Sequence, residues 1–399
     1  MEKIYQLAIV GGGASGMFLA SAKPAENIIL FEKGERLGRK LSATGNGQGN
    51  LTNIRASQTP YFSFSNPALV DKIVQSHDQE QMQAFMQKLG LLLVHDDKGR
   101  VYPAGKQASA ITDALRFYIE QIGVEIKLSR AVTAIEKKNG LFELTTPTGK
   151  YRAENVAICA GGKASKNFGT DGTAYALVKA FSHSVTKLCP SLVQLKTDTS
   201  SIKALKGIRV SPARVTAVWQ GGSRTEEGDI LFTDYGVSGD AVFRLSAFCA
   251  DKIEKGVELT IDFLPQFTKD EIATAIAQKQ KNLPFIPNTE LLCGMVNNQI
   301  ARAVAKYAQG NVQAYANALK NFTLRATGTL GFDYAQVTKG GIPLDEIDEN
   351  LQSKFVSGLY FAGEVLDADG ACGGFNLQWA YSSSAVVAQA IENTYKNKR

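Results

Sequence analysis

The chain has 399 residues, of which 44 % are hydrophobic and 21 % are charged, and its formal net charge is +6. This length predicts two to three domains and excludes a small single module. The composition is that of a globular protein, and no apolar stretch approaches the ~20 residues of a membrane-spanning helix. The first residues lead into a strand-like stretch without the features of a signal peptide, which predicts a cytoplasmic protein with no membrane partner.

The first 33 residues predict the opening of a βαβ unit. A strand over 5–10 leads into the turn Gly11-Gly12-Gly13-Ala14-Ser15-Gly16, a short helix over 17–22 and a second strand over 28–31. Glu32 follows, 21 residues after Gly11. Such glycines let the backbone approach a pyrophosphate at the helix N-terminus, and the Glu32 carboxylate can accept hydrogen bonds from both hydroxyls of an adenosine ribose. The unit therefore predicts a dinucleotide site without a 2′-phosphate.

The rest of the chain alternates between helix-like and strand-like stretches. Helices are predicted over 67–90, 107–121, 268–320 and 377–395, and strands over 124–159, 190–250, 322–342 and 359–362. A β-rich segment therefore contains a helical insertion.

Three glycine-rich segments far downstream favour FAD over NAD, because a flavin must be held along its ribityl chain and ring as well as at its adenine end. They are Ala160-Gly161-Gly162, Gly363-Glu364 with Asp367, and Gly373-Gly374-Phe375-Asn376-Leu377. The acidic residues suit ribityl or phosphate-adjacent hydroxyls. The amides that open the last helix can stabilise negative charge on a reduced ring. We therefore predict FAD, bound non-covalently.

Several further motifs are spread along the chain: Gly38-Arg39-Lys40, Thr44-Gly45-Asn46-Gly47, Asn50-Leu51-Thr52-Asn53, Gly99-Arg100-Val101-Tyr102-Pro103, the segment 231–239, the segment 337–341 and the segment 363–380. Taken together, these motifs resemble the BaiN-like or YhiN-like bacterial flavoproteins. The resemblance covers nearly the whole chain. That family has three domains, and some of its members are described as aminoacetone oxidases.

The resemblance implies an α/β fold with a Rossmann-like FAD-binding domain formed by both chain ends, plus a β-barrel-like domain with an inserted helical domain. The FAD-binding domain is expected over residues 1–188 and 341–399, the barrel-like domain over 189–250 and 321–340, and the helical insertion over 251–320. With the glycine turns, the resemblance gives a full set of expected cofactor-binding residues. They are Gly11, Gly13, Ala14, Ser15, Gly16, Glu32, Lys33, Gly38, Arg39, Lys40, Thr44, Gly45, Asn46, Asn50, Val132, Ala160, Gly161, Gly162, Gly363, Glu364, Asp367, Gly373, Gly374, Phe375, Asn376 and Leu377.

Two positions depart from the family pattern. Members usually carry Gly-Arg-Cys-Asn where this chain has Gly47-Gln48-Gly49-Asn50, so a positive charge and a thiol near the expected flavin ring are missing. Cys372 either supplies a thiol instead or is a small residue beside a glycine turn. The catalytic residues stay open, with Cys372, Asn376 and Asp367 as candidates.

Electron-transfer partners are restricted by what the sequence lacks. It has one dinucleotide fingerprint and no Cys-x-x-Cys pair, which argues against a disulfide reductase with its own nicotinamide domain. NAD(P)H is therefore expected only as a transient electron donor. The three histidines, His77, His95 and His183, lie far apart, so no metal site is expected.

Three functions remain open. The first is hydride delivery to an activated C=C bond, for which the resemblance suggests steroid-like enones or uracil in ribosomal RNA. The second is oxidation of an amine such as aminoacetone by O2, and the third is a non-catalytic, flavin-binding redox sensor. Residues 196–224 hold six basic residues against one acidic residue, a net charge of +5, which favours the first function if this face meets RNA phosphates. An ordinary solvated basic face explains the same pattern.

Overall fold

The computed structural model describes residues 3–308 and 311–397, which divide into two compact units. The first unit takes in the chain up to Cys189 and again from Val337 onward, and the second runs from Pro190 to Gln336. Each unit has its own hydrophobic core. Among the described residues, no helix combines the length and apolar character needed to cross a membrane.

The strands of the described chain are numbered in sequence order. They are β1 (Ile4–Val10), β2 (Ile28–Phe31), β3 (Thr52–Asn53), β4 (Leu93–His95), β5 (Arg100–Pro103), β6 (Glu125–Lys127), β7 (Ala134–Lys138), β8 (Leu141–Thr146), β9 (Gly149–Ile158), β10 (Cys189–Ser191), β11 (Leu195–Thr197), β12 (Arg209–Trp219), β13 (Gly222–Phe232), β14 (Gly236–Ser238), β15 (Val257–Asp262), β16 (Phe322–Thr329), β17 (Val337–Lys339) and β18 (Leu359–Phe361).

The α-helices are numbered in the same way. They are α1 (Ala14–Ala22), α2 (Pro67–Ser76), α3 (Gln79–Lys88), α4 (Ala108–Gln121), α5 (Ala174–Lys179), α6 (Asp240–Cys249), α7 (Lys269–Asn282), α8 (Asn298–Tyr307), α9 (Val312–Lys320) and α10 (Phe375–Lys396).

The first unit is built on a mostly parallel sheet with the strand order β6-β2-β1-β9-β8-β7, in which β18 also pairs with β9. Val10 pairs with both Phe31 and Ile158, and Ile158 pairs with Phe361, so the carboxyl ends of four parallel strands lie side by side. β2 is buried along its whole length, as expected for a parallel strand covered on both faces. A second sheet, β3-β5-β4, is small.

The second unit is a closed antiparallel barrel with the order β11-β14-β13-β12-β15-β16. Helices α7, α8 and α9 lie between β15 and β16 in the chain. Leu259, Ile261, Phe322 and Leu324 are among the apolar residues buried in the core of this unit.

Two elements differ from the sequence expectations. Helix α6 lies inside 190–250, where strands were predicted, because Ala241, Leu245 and Cys249 recur at helical spacing and are buried. Strand β15 lies inside the range 251–320 expected for the helical insertion. Its residues Val257, Leu259 and Ile261 alternate with more exposed ones, the period of a strand with one buried face.

Candidate cofactor site

The glycine turn after β1 leaves the N-terminus of α1 open. A Cβ atom on Gly16 would lie 1.9 Å from the Gly11 carbonyl oxygen, so only glycine allows this approach. Gly13 is the N-cap residue, and no described side chain caps the helix. A Cβ atom on Gly13 would meet no described atom within 4 Å. The unsatisfied amides of α1 therefore face open space, which suits an anionic group such as a pyrophosphate.

The carboxylate of Glu32 is fixed at the end of β2. The Gly12 amide donates to Oε2 at 2.8 Å, and the Gly34 amide donates to Oε1 at 2.7 Å. Each oxygen keeps a second lone pair that can accept a hydroxyl hydrogen. The residue is half-buried and lies beside the glycine turn, so its geometry fits the two hydroxyls of a ribose.

Residues from distant parts of the chain meet at the carboxyl ends of β1, β9 and β18. A Cβ atom on Gly11 would lie 2.7 Å from Ala160 Cα, and one on Gly363 would lie 1.9 Å from Ser15 Oγ. Gly162 approaches Glu364, whose Oε1 would lie 3.1 Å from such an atom. The structure therefore brings together the segments that the sequence assigned to one cofactor.

Three basic residues lie near this junction, and each is held by a contact of its own. Lys40 Nζ lies 2.7 Å from Glu364 Oε2, Lys33 Nζ lies 2.8 Å from Asp171 Oδ2, and Arg39 Nη2 donates to the Asn167 carbonyl oxygen at 2.8 Å. These pairs fix the direction of each cation beside the open helix terminus.

The remaining predicted residues of this half differ in exposure. The Gly38 amide donates to the Gly12 carbonyl oxygen at 2.8 Å, which ties the two turns together. Thr44 is half-buried, whereas Gly45 and Asn46 are exposed. Val132 packs against the core two residues after Arg130, whose amide donates to the Glu32 carbonyl oxygen at 2.8 Å.

The second half of the site is the start of α10. Gly374 is its N-cap residue with φ +102°, and a Cβ atom there would lie 2.3 Å from the carbonyl group of Thr52. No described side chain caps this helix. Asn50 is 8 % exposed, and its Oδ1 has no hydrogen-bond partner among the described residues. This oxygen points toward Gly374 and would lie 2.6 Å from a Cβ atom placed on that glycine. The carbonyl oxygen of Phe375 accepts a hydrogen bond from Tyr61 Oη at 3.1 Å. Leu377, two residues further along α10, is half-buried.

Two of the three catalytic candidates are tied to local structure. Asn376 Oδ1 accepts a hydrogen bond from the backbone amide of Gly370, and Asn376 Nδ2 donates to the Gly370 carbonyl oxygen, both at 2.9 Å. The Asn376 side chain therefore holds the glycine-rich loop in place. Asp367 is fully buried, and its Oδ2 accepts hydrogen bonds from Ser63 Oγ, Ser65 N and Ser65 Oγ. The two serines were missed because nothing in the local pattern links residues 302–304 positions apart.

The departures from the family pattern have a structural counterpart. Gly49 has φ +76°, and a Cβ atom there would lie 2.8 Å from Ala108 Cα, so a cysteine side chain does not fit this backbone. Cys372 is partly exposed in the glycine-rich loop and acts electrostatically on Tyr102. Sequence reasoning missed Tyr102, although its motif was noted and its alternation with Arg100 on β5 places both on one face.

Comparison with known proteins identifies the family of this chain. A family model described as "HI0933-like protein Rossmann domain" matches residues 5–390. The chain belongs to this family. It is 30 % identical to the 3-dehydro-bile acid delta(4,6)-reductase of Clostridium scindens over 96 % of this chain and 98 % of that protein. It is 27 % identical to the ribosomal RNA dihydrouridine synthase of Haemophilus influenzae over 98 % of this chain and 99 % of that protein.

A solved structure shares the fold of this HI0933-like protein. The 3-ketosteroid-delta4-(5alpha)-dehydrogenase of Rhodococcus jostii RHA1 superposes with a TM-score of 0.53 at 12 % identity, over 98 % of each chain. The predictions of the family, of the α/β Rossmann-type fold and of an FAD-dependent oxidoreductase are confirmed. The open α1 terminus and the fixed Glu32 carboxylate fit the pyrophosphate and ribose of FAD.

Proposed function

We propose that this HI0933-like protein is a reductase that uses NAD(P)H to saturate an activated C=C bond in a small conjugated molecule such as a steroid-like enone. One observation carries the proposal. Two full-length relatives are named for reactions that add hydrogen across a C=C bond conjugated to a carbonyl, in a dehydro-bile acid and in uridine.

The charges of the barrel favour a small substrate over RNA. Four of the six basic residues in 196–224 are paired with acidic residues that follow in the chain. The pairs are Lys206–Asp234 at 2.7 Å, Arg209–Asp229, Arg214–Glu227 at 3.0 Å and Arg224–Glu226 at 2.8 Å. Over 196–235 the chain holds six basic and five acidic residues, so the net charge is +1 rather than +5. A face with little excess charge attracts phosphates weakly.

The roles of the chain's own residues follow from the site. The α1 amides and Glu32 would hold the two ends of an adenosine diphosphate group, and Lys40 with Glu364 would flank the chain that leads to the ring. Bound there without a covalent link, FAD supplies a two-electron carrier between the nicotinamide donor and the substrate. The amides at the start of α10, which no described side chain caps, would stabilise negative charge on the reduced ring.

Anaerobic stopped-flow spectroscopy tests the proposal. We expect NADH or NADPH to bleach the flavin absorbance of the holoenzyme, and a 3-keto-4-ene steroid to restore it with the saturated ketone as product. Rapid bleaching by aminoacetone, followed by reoxidation with O2 and release of peroxide, would instead establish an oxidase. Nicotinamide that never reduces the flavin would also overturn the proposal.

A further inference from the structure

A cluster of polar side chains faces the start of α10 from the small sheet. Arg100 and Tyr102 lie on one face of β5, since they are two residues apart in a strand. Asn53 on β3 donates from Nδ2 to the Gly373 carbonyl oxygen at 3.2 Å, and a Cβ atom on Gly373 would lie 3.4 Å from Arg100 Cγ. The Tyr102 hydroxyl is acted on by Arg100, Asp96, Cys372 and Asn50. Asn53 and Arg100 therefore lie beside the turn that opens the last helix, and Tyr102 lies next to Arg100 on β5.

The cluster contains a buried acceptor with no hydrogen-bond partner among residues 3–308 and 311–397. Asn50 Oδ1 is unpartnered within the described chain and points at the uncapped N-terminus of a 22-residue helix. Leaving a buried amide oxygen without a hydrogen bond destabilises the protein. Together with the open helix amides, this acceptor indicates a place for a polar group of a ligand.

Most proton donors around this place are already committed. Tyr61 Oη donates to the Phe375 carbonyl oxygen, and the Asn376 amide is engaged with Gly370. Burial alone would raise the pKa of Asp96, but its hydrogen bonds with Arg100 hold that pKa below the usual value, so this carboxyl is ionised at neutral pH. The hydroxyl of Tyr102 and the thiol of Cys372 are the other two groups of the cluster that carry a proton.

Tyr102 is the better placed of these two groups. It is 7 % exposed, whereas Cys372 is partly exposed, so the hydroxyl is the more shielded from water. Burial raises the pKa of Tyr102, which keeps the hydroxyl protonated at neutral pH. The Arg100 guanidinium carbon lies 6.0 Å from the ring centroid and would stabilise the tyrosinate left after proton transfer.

We infer that Tyr102 is the catalytic acid of the proposed reduction, on which this inference rests. As a hydride adds to the β-carbon of the enone, the π electrons of the C=C bond take the Tyr102 Oη proton at the α-carbon. The nicotinamide donor is oxidised, the enone is reduced by two electrons, and the tyrosinate regains its proton from water. A positioned general acid contributes roughly 10²–10⁴-fold to such a rate.

The test compares Tyr102→Phe with Tyr118→Phe, which removes a hydroxyl from a half-buried tyrosine of α4 in the same unit. In anaerobic stopped-flow, Tyr102→Phe should slow reoxidation by the enone by about 10²-fold or more, while reduction by NAD(P)H stays within about twofold of wild type. Calorimetry should show enone affinity for the oxidised holoenzyme within a few-fold of wild type. Tyr118→Phe should match wild type in all three measurements.

Each other outcome has one meaning. Equal enone reduction by Tyr102→Phe and wild type overturns the inference and leaves the proposed function standing. Loss of enone reduction in Cys372→Ala with retention in Tyr102→Phe also overturns it and assigns the proton to the thiol. A wild-type enzyme that reduces no enone overturns the proposed function itself, and the inference with it.

Discussion

The Glu32 carboxylate is the residue on which the predicted adenosine grip depends most directly. Glu32→Ala should weaken FAD binding by about 1–3 kcal/mol, because charge-assisted hydrogen bonds to the ribose are lost. Quenching of flavin fluorescence by the apoprotein measures this change. Glu35→Ala, at an exposed position in the same loop, is the matched control and should bind FAD as wild type does. An unchanged affinity in Glu32→Ala would place the ribose elsewhere.

Gly374 gives a second prediction at the scale of single residues. Its φ of +102° and the 2.3 Å approach to Thr52 leave no room for a side chain. Gly374→Val should destabilise the fold by about 1–3 kcal/mol and alter the flavin spectrum, because the loop that opens α10 must move. Gly105→Val is the control, since a Cβ atom at Gly105 meets no described atom within 4 Å. Equal denaturation midpoints and identical flavin spectra for the two variants would contradict this account.

Single residues also show what the sequence could and could not indicate. Gly11, Gly16 and Glu32 were predictable because one local motif contains the strand, the turn and the acid. The contacts of Asp367 were not, because they depend on which loops the fold brings together. Asn376 was predicted to bind the cofactor, and the structure engages its side-chain amide with its own loop.

At the scale of elements, the parallel sheet explains why the predicted segments converge. β1, β9 and β18 run in one direction, so the glycines that follow each strand meet at one edge. The apolar runs of these strands and the period of α10 were readable from sequence. Helix α6 and strand β15 were less so, because each is a short element inside a stretch dominated by the other type.

A buried histidine joins three connecting segments of the first unit. His183 Nδ1 lies 2.9 Å from Glu346 Oε2, and its Nε2 lies 2.7 Å from Ser353 Oγ. Ser353 Oγ also accepts hydrogen bonds from the backbone amides of Phe355 and Val356. Its own hydroxyl hydrogen can therefore be donated to an unprotonated His183 Nε2. This pattern fits a neutral imidazole that donates from Nδ1 to Glu346.

The His183 contacts predict a pH dependence of stability. Burial lowers the pKa of His183 below 6.5, although Glu346 acts in the opposite direction. Above pH 6.5 the His183 imidazole is neutral in both the folded and the unfolded state. As the pH falls below 6.5, the unfolded state takes up the proton first, because its pKa is the higher of the two. Stability should therefore fall toward pH 5 by at most about 1.4 kcal/mol per pH unit from this group.

Urea denaturation at pH 7.5 and pH 5 measures this effect. His183→Gln should lose stability at pH 7.5 and show a smaller further loss at pH 5 than wild type. His95→Gln changes an exposed histidine and should keep the wild-type pH dependence. If His183→Gln and wild type lose stability equally between the two pH values, His183 does not titrate as described.

At the scale of the whole molecule, charge counted along a sequence window differs from charge on a folded surface. The window 196–224 ends inside β13, which runs antiparallel to β12 and places Glu227 opposite Arg214. A window that ends at Arg224, the third residue of β13, therefore leaves out Glu226, Glu227 and Asp229 on the rest of that strand. Of the two interpretations that the sequence left open, these pairs favour the ordinary solvated face over the phosphate-binding face.

The salt dependence of binding tests whether RNA is a substrate. With four of the six basic residues paired, a uridine-containing RNA should bind only weakly at 200 mM salt, and its affinity should vary little between 50 and 200 mM salt. Fluorescence anisotropy with labelled RNA measures both. The triple variant Lys203→Ala, Lys206→Ala and Arg209→Ala should reduce the steroid enone at the wild-type rate.

The relative from Haemophilus influenzae named as a ribosomal RNA dihydrouridine synthase makes the contrary result informative. Tight RNA binding that weakens about 10³-fold between those salt concentrations, and that the triple variant loses, would show that the barrel faces RNA and that uracil is the reduced group.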